Sequence, residues 1–293
     1  MKHVKKAERR IARQLKAIDQ REVRLILQDM LRGYGVADKP LPELPRLWTI
    51  SDEKAFQADG LVLAMAAENH PTYYVRGILH GARTAPFELL LFHVYCHELM
   101  HYLGRRILKR AILRGVDEPT LSVEMTRSVA GFNVYTTYER DSKVTMCLFG
   151  SFNEGVTEML GYELMKRSVY RLRPRNVTEN DIAEYLERDE PLYKPCVKFV
   201  RELLNRFAAT SGVAPQKVLS WFVQAYVGGT DLRTDTTWEE YVERAGLPAN
   251  FTLVLANATE DEIESLYYKL LVKKLKLNPA LGNAFDDIRV TVT

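Results

Sequence analysis

The sequence predicts an α+β fold with a small, mostly antiparallel sheet, built around one buried helix and closed by a mainly helical C-terminal part. Three observations carry this. Residues 85–101 form a densely apolar stretch of helical length. Residues 129–149 alternate like a hairpin, with Glu139–Lys143 as its turn. From Thr178 onward, helical patterns end on glycines at 212, 228–229 and 246.

The elements run in order along the chain. Val4, Ala7, Ile11, Leu15, Ile18, Leu25 and Ile26 recur at helical spacing and predict one basic amphipathic helix up to about Gly33. A proline-rich link, Pro40 to Pro45, comes next. Leu47–Ile50 reads as a strand, Leu61–Ala66 fits either strand or helix, and Thr72–Ile78 reads as extended. Pro86 and Glu88 suit the first turn of the central helix. The basic run Arg105–Arg110 reads as its solvated end, because cations favour a helix C-terminus. A loop near Pro119 leads to the hairpin strands Val129–Tyr138 and Val144–Phe149. A helix succeeds them, running to about Leu172. Helices near 195–209, 214–227 and 237–245 come after the one opened at Thr178. Phe251–Leu255 reads as a strand, Thr259 with Glu262 caps another helix, and Asp287–Val292 reads as a last strand. Three segments result: an arm and linker over 1–44, a core over 45–172, and a helical subdomain over 173–293.

Composition narrows the function classes. The chain has 293 residues, enough to bury a large core, and 46% of them are hydrophobic. The net charge of +3 does not by itself imply a nucleic-acid partner. The charge is uneven, with nine Lys/Arg against three Asp/Glu in residues 1–27. This basic start packs on the domain with solvated charges in the preferred reading; contact with an anionic membrane surface or a nucleic acid is the alternative. Three cysteines fit a reducing compartment without a disulfide framework. No signal core and no run of transmembrane length occurs, so the chain reads as soluble and cytoplasmic.

The central helix carries His97-Glu98-Leu99-Met100-His101, an HExxH motif. Histidines four apart share one helix face and can hold one zinc ion, with the glutamate between them as base. A catalytic zinc site needs a third protein ligand and one open position. No histidine follows His101, and Cys147 and Cys196 are isolated. Glu154, in Ser151-Phe152-Asn153-Glu154-Gly155-Val156-Thr157-Glu158, is the better candidate. It falls in the first turn of the predicted helix, with Glu158 one turn later on the same face. There Glu158 can orient a ligand histidine through its far ring nitrogen. Each residue also has a plainer role. The two histidines can be core residues, Glu154 can close a capping box with Ser151, and Glu158 can be a solvated helix residue. His93, one turn before His97, reads as a hydrogen-bonded core histidine, and Cys96 as a packed thiol.

HExxH followed by Asn-Glu-Gly-x-x-Glu resembles the gluzincin metallopeptidases, which include the aminopeptidase N and thermolysin groups. The resemblance spans Glu68 to Arg171. It implies a zincin-like core with a motif helix and a third-ligand helix. It also implies Zn2+ held by His97, His101 and Glu154, Glu158 behind a zinc-bound histidine, and a peptide or protein substrate cleaved with Glu98 as base. Ala66-Ala67-Glu68-Asn69 is similar to the Gly-Ala-Met-Glu-Asn of clan aminopeptidases, which implies that Glu68 grips a substrate amine; the alternative is a turn built on Asn69 and Pro71. In place of a short helical hairpin, residues 102–153 separate the two motifs. The resemblance also implies an oxyanion donor, for which Tyr193 and Tyr226 are the candidates. A zinc-bound but non-catalytic binding or regulatory domain is the other reading of the same residues.

Overall fold

In the computed structural model, residues 2–36, 48–53, 56–57, 60–61, 63–66, 71–83, 85–104, 106–114, 122–139, 143–188 and 191–275 are described. In chain order they form α1 (Lys2–Ala17), α2 (Gln20–Gly33), β1 (Thr49–Ser51), β2 (Phe56–Gln57), β3 (Gly60–Leu61), β4 (Ala64–Ala66), β5 (Pro71–Tyr74), α3 (Val75–Gly81) and α4 (Phe87–Met100). Next come β6 (Arg106–Arg114), β7 (Ser122–Ala130), β8 (Asn133–Glu139), β9 (Lys143–Leu148) and α5 (Gly150–Ser168). The chain continues with α6 (Glu179–Glu187), α7 (Lys194–Ser211), α8 (Pro215–Gly228), α9 (Thr236–Arg244), α10 (Phe251–Asn257) and α11 (Glu260–Leu275). The fold is α+β. The chain divides into two compact units, 1–102 with 157–192 and 103–156 with 193–293, and the division falls inside α5.

The first unit is organised on α4. Every residue from Phe87 to Met100 is buried, so this helix has no solvent face. A three-stranded sheet accompanies it, with β1 parallel to β5 and β4 antiparallel to β5. Helix α1 packs on α3, α4 and β1 through Ala7, Ile11 and Leu15. Arg10 fixes it at the start of α4. Its guanidinium lies 4.1 Å from the Phe87 ring centre, and its Nε donates to Glu88 Oε1 at 2.8 Å. Glu88 is buried, and this bond supplies the charge partner that a buried carboxylate requires.

The second unit holds the antiparallel sheet β6-β7-β8-β9 and helices α7 to α11. Its core is aromatic: Phe132, Phe152, Phe199, Phe222 and Trp238 are all buried in mutual contact. The Trp238 indole N–H donates to Thr252 Oγ1 at 2.9 Å, so its polar edge is satisfied.

Two glycines on α5 explain its close packing. A Cβ on Gly155 would lie 2.8 Å from the Cys196 backbone of α7, and one on Gly161 would lie 2.8 Å from His97 Cα of α4. Only glycine permits either approach. Gly161→Ala is therefore expected to destabilise the protein by about 1–3 kcal/mol, because the obstructing atoms are backbone and cannot rotate away. A urea denaturation midpoint equal to wild type would remove this account of the α4–α5 contact.

Six expectations need correction. The single N-terminal helix is two, because Asp19 caps α2 by accepting from the N–H groups of Arg21 and Glu22. Thr72–Ile78 is strand only to Tyr74 and helix thereafter. The basic run after α4 is strand β6 rather than a helix end: Gly104 has φ +66°, which stops the helix, and pairing with β7 holds residues 106–114 extended. Val129–Tyr138 is two strands, β7 and β8, joined at Gly131-Phe132. Phe251–Leu255 is helix α10, since Phe251, Leu255 and Ala256 bury one helical face and override a β-prone composition. Finally, α5 starts at Gly150, so Ser151 is inside the helix and is no cap, and Glu154 lies in the second turn. Leu61–Ala66 contributes to strands β3 and β4. The caps at Thr178 and at Thr259 with Glu262 are present. The proline-rich link, the loop near Pro119, Glu68 with Asn69, and Asp287–Val292 lie outside the described residues.

Candidate metal centre

His97 lies in the last turn of α4, and His101 is its C-cap. Their Nε2 atoms are 3.1 Å apart, with the rings at 73°. Metal–nitrogen bonds of ~2.0–2.1 Å to both atoms would subtend roughly 100° at the ion, near the tetrahedral value. His97, His101 and Glu154 each offer a ligand atom, and these atoms lie within 4.8 Å of one another. Tetrahedral donors on a zinc ion sit ~3.3 Å apart. The group could hold a metal ion.

Behind His97 stands Glu158, fully buried one turn after Glu154 on α5. His97 Nδ1 lies 2.8 Å from Glu158 Oε2, and His93 Nε2 lies 2.7 Å from Oε1. The Leu192 N–H donates to Oε1 at 2.8 Å. An ionised carboxylate only accepts, so both histidines donate to it. His97 then carries its proton on Nδ1 and presents the Nε2 lone pair toward His101. His93, with its proton on Nε2, accepts at Nδ1 from the Tyr185 hydroxyl at 2.8 Å. The chain Tyr185–His93–Glu158–His97 thus sets the tautomer of one candidate ligand, as groups behind a metal ligand do. This donor set fits a borderline-soft divalent ion: two imidazole nitrogens and one carboxylate.

Burial alone pushes Glu158 upward, but the attraction of the His93 ring in its charged form and its hydrogen bond, then those of His97, outweigh it and hold the carboxyl at about 2 in the metal-free protein. A folded-state value below the unfolded ~4.3–4.5 stabilises above the unfolded value. The metal-free protein is therefore expected to lose about 3 kcal/mol as pH falls from about 4.5 to about 2, in addition to its general acid sensitivity. Glu158→Gln should flatten the denaturation midpoint in that window. A slope identical to wild type would place the linkage elsewhere.

Glu98 is buried beside His97. Tyr73 is raised well above the ordinary phenol range, first by burial and then by the charge of Glu98, so a neutral phenol neighbours this carboxylate.

Asn153 and Gly155, around Glu154, serve local architecture. The Asn153 side-chain oxygen accepts from the Phe132 N–H at 2.8 Å, tying α5 to the β7–β8 turn. Gly155 admits α7. Phe149, at φ +65°, makes the entry to α5 and donates its N–H to Ala256 O at 2.7 Å.

Of the other candidates, Cys147 is a surface residue on β9. Its thiol is pushed up to about 11, first by burial and then by the charge of Glu154, so it stays protonated at neutral pH. Cys96 and Cys196 are buried. Tyr226 is fully buried with its ring packed on Phe132, as a core residue. Tyr193 is half-buried at the start of α7, next in the chain after Leu192, whose N–H binds Glu158. His93 is the hydrogen-bonded core histidine its place one turn before His97 predicts, but its partners Glu158 and Tyr185 leave no mark in the sequence that pairs them with it.

No protein-family model, curated protein or solved structure matches the chain. Among the described residues, no helix is long and apolar enough to cross a membrane.

Proposed function

We propose that this protein is a zinc-dependent peptidase of gluzincin type, with a zincin-like core in which His97, His101 and Glu154 hold the ion. The observation that carries this reading is the hydrogen bond from His97 Nδ1 to the buried Glu158, which places the ring's other nitrogen, Nε2, 3.1 Å from His101 Nε2. A buried carboxylate behind an imidazole is costly and orients that ring, and core packing alone has no need of it.

When bound, zinc supplies Lewis acidity, polarising a carbonyl and acidifying a water. Glu98 takes a proton from the attacking water and passes it to the departing amine nitrogen, as a carboxylate general base then acid. Its burial keeps that proton from bulk water. Glu158, with His93 and Tyr185 behind it, holds the His97 ring in place throughout. The oxyanion of the tetrahedral intermediate needs a donor, and Tyr193 is the candidate retained, because it directly follows Leu192, whose N–H binds Glu158. Glu68 remains the proposed anchor for a substrate amine.

The test is cleavage of an unbiased peptide mixture, with new termini identified by mass spectrometry. Turnover by protein carrying about one zinc per chain, lost on chelation and regained on adding zinc, is the expected result. Protein that holds zinc stoichiometrically and yields no new termini at any pH would move the reading to a zinc-bound binding domain.

A further inference from the structure

The exposed surface of α1 carries a basic stripe, with Glu8 as the exposed acid beside it. Lys5, Lys6, Arg9, Arg13 and Lys16 are exposed and fall within one stripe of the helix, at 3.6 residues per turn. From Lys5 to Lys16 the stripe runs ~17 Å along the axis, at ~1.5 Å per residue. Beside it lies a groove of about 390 Å³ lined by Arg9, Ala12, Arg13, Lys16, Ala17 and Arg175. Four cations therefore border one concavity that no acidic residue lines.

The neighbouring arginines are neutralised: Arg10 by Glu88, Arg171 by Glu22 and Arg173 by Glu179. Among the described residues, Arg9, Arg13, Lys16 and Arg175 have no carboxylate within ion-pair distance. Like charges held around a groove repel one another, and an anion seated there relieves the repulsion.

We propose that this groove and the stripe leading to it bind the phosphodiester backbone of a double-stranded nucleic acid. Three features select this occupant. A row of cations ~17 Å long suits a linear polyanion better than a single phosphate. No aromatic side chain lines the groove, and single-stranded nucleic acid is held on aromatic platforms. A membrane surface would need an apolar helix face to insert, and the apolar face of α1 is already buried by Ala7, Ile11 and Leu15. Contact is through phosphates only, so binding is independent of sequence.

The test is fluorescence anisotropy of the full chain with a labelled duplex of about 20 bp in a salt series, beside vesicles containing about 30% phosphatidylserine. The four groove cations alone predict a log–log salt slope of about −3.6, or about a hundred-fold loss of affinity between about 50 and 200 mM salt, and Lys5 and Lys6 steepen it further. The triple variant Arg9→Ala, Arg13→Ala, Lys16→Ala keeps helix-forming residues and leaves the packed face of α1 intact. It should bind at least ten-fold more weakly at about 50 mM salt, with the slope shallower by about 2.7. Duplex binding that the variant retains in full, no duplex binding at low salt, or binding to anionic vesicles alone would each overturn the proposal. Lys5→Ala with Lys6→Ala, outside the groove, should give a smaller loss. Zinc content and peptide cleavage are read separately, so failure here leaves the proposed chemistry untouched.

Discussion

Glu98→Gln is expected to keep about one zinc per chain while cutting peptide cleavage by about a thousand-fold or more. Glutamine has the shape of glutamate and fits the same buried site, but its amide takes up no proton at neutral pH. General acid–base catalysis is worth ~10²–10⁴-fold, and here one residue serves twice, first toward water and then toward the amine. The residue is no metal ligand in this arrangement, so the metal content measures the fold of the site independently of its chemistry. The amide also removes a buried charge, so the folded state should be no less stable than wild type. Unchanged cleavage with zinc still bound would show that Glu98 is not the base and would favour a non-catalytic role for the centre. Parallel loss of zinc and activity would instead put Glu98 among the ligands.

Glu154→Ala carries the second large effect, on metal retention. Zinc sites with four protein ligands are worth ~10–16 kcal/mol, so one ligand contributes ~3 kcal/mol, or about a hundred-fold in affinity. The variant should lose zinc to a chelator that wild type withstands, as should His97→Ala. Glu158→Ala should weaken binding by a smaller ~10–100-fold, because it orients a ligand without touching the ion. Competition titration separates the two classes. Full zinc retention by Glu154→Ala would require another third ligand, and the 4.8 Å spread of the present group makes this the sharper test. The expected stability changes are modest, since Glu154 is half-buried and its truncation leaves the Asn153–Phe132 bond intact.

Much of the scaffold was legible in the sequence where local chemistry is decisive. The apolar density of α4 marks its burial, and the helix starts at Thr178 and Thr259 and the stops at Gly212, Gly229 and Gly246 are set by side-chain caps and positive φ angles, which leave a local mark. The site group was legible for a related reason: i, i+4 spacing on a helix fixes which residues share a face. What failed depends on distant partners. The cations of Arg106–Arg114 suit a helix end and a strand equally, and pairing with β7 decides between them. The β-prone run in α10 yields to burial of one helical face. Likewise, His93 and Glu158 lie 65 residues apart, and Tyr185 reaches His93 across 92. No local pattern encodes such meetings.

The contact between Gly161 and the His97 backbone has a consequence for how the centre withstands change. Two main chains in direct touch have no rotamers to choose among. The spacing between the His97 turn of α4 and the Glu158 turn of α5 is therefore set by atomic radii rather than by how neighbouring side chains repack. Exchange of one aliphatic residue for another in the surrounding core is expected to leave that spacing unchanged, whereas any side chain at position 161 must push two backbones apart. A saturation screen scored only for folding should show the same intolerance at 161 with or without metal, as a mark of geometry inherited from the backbone alone.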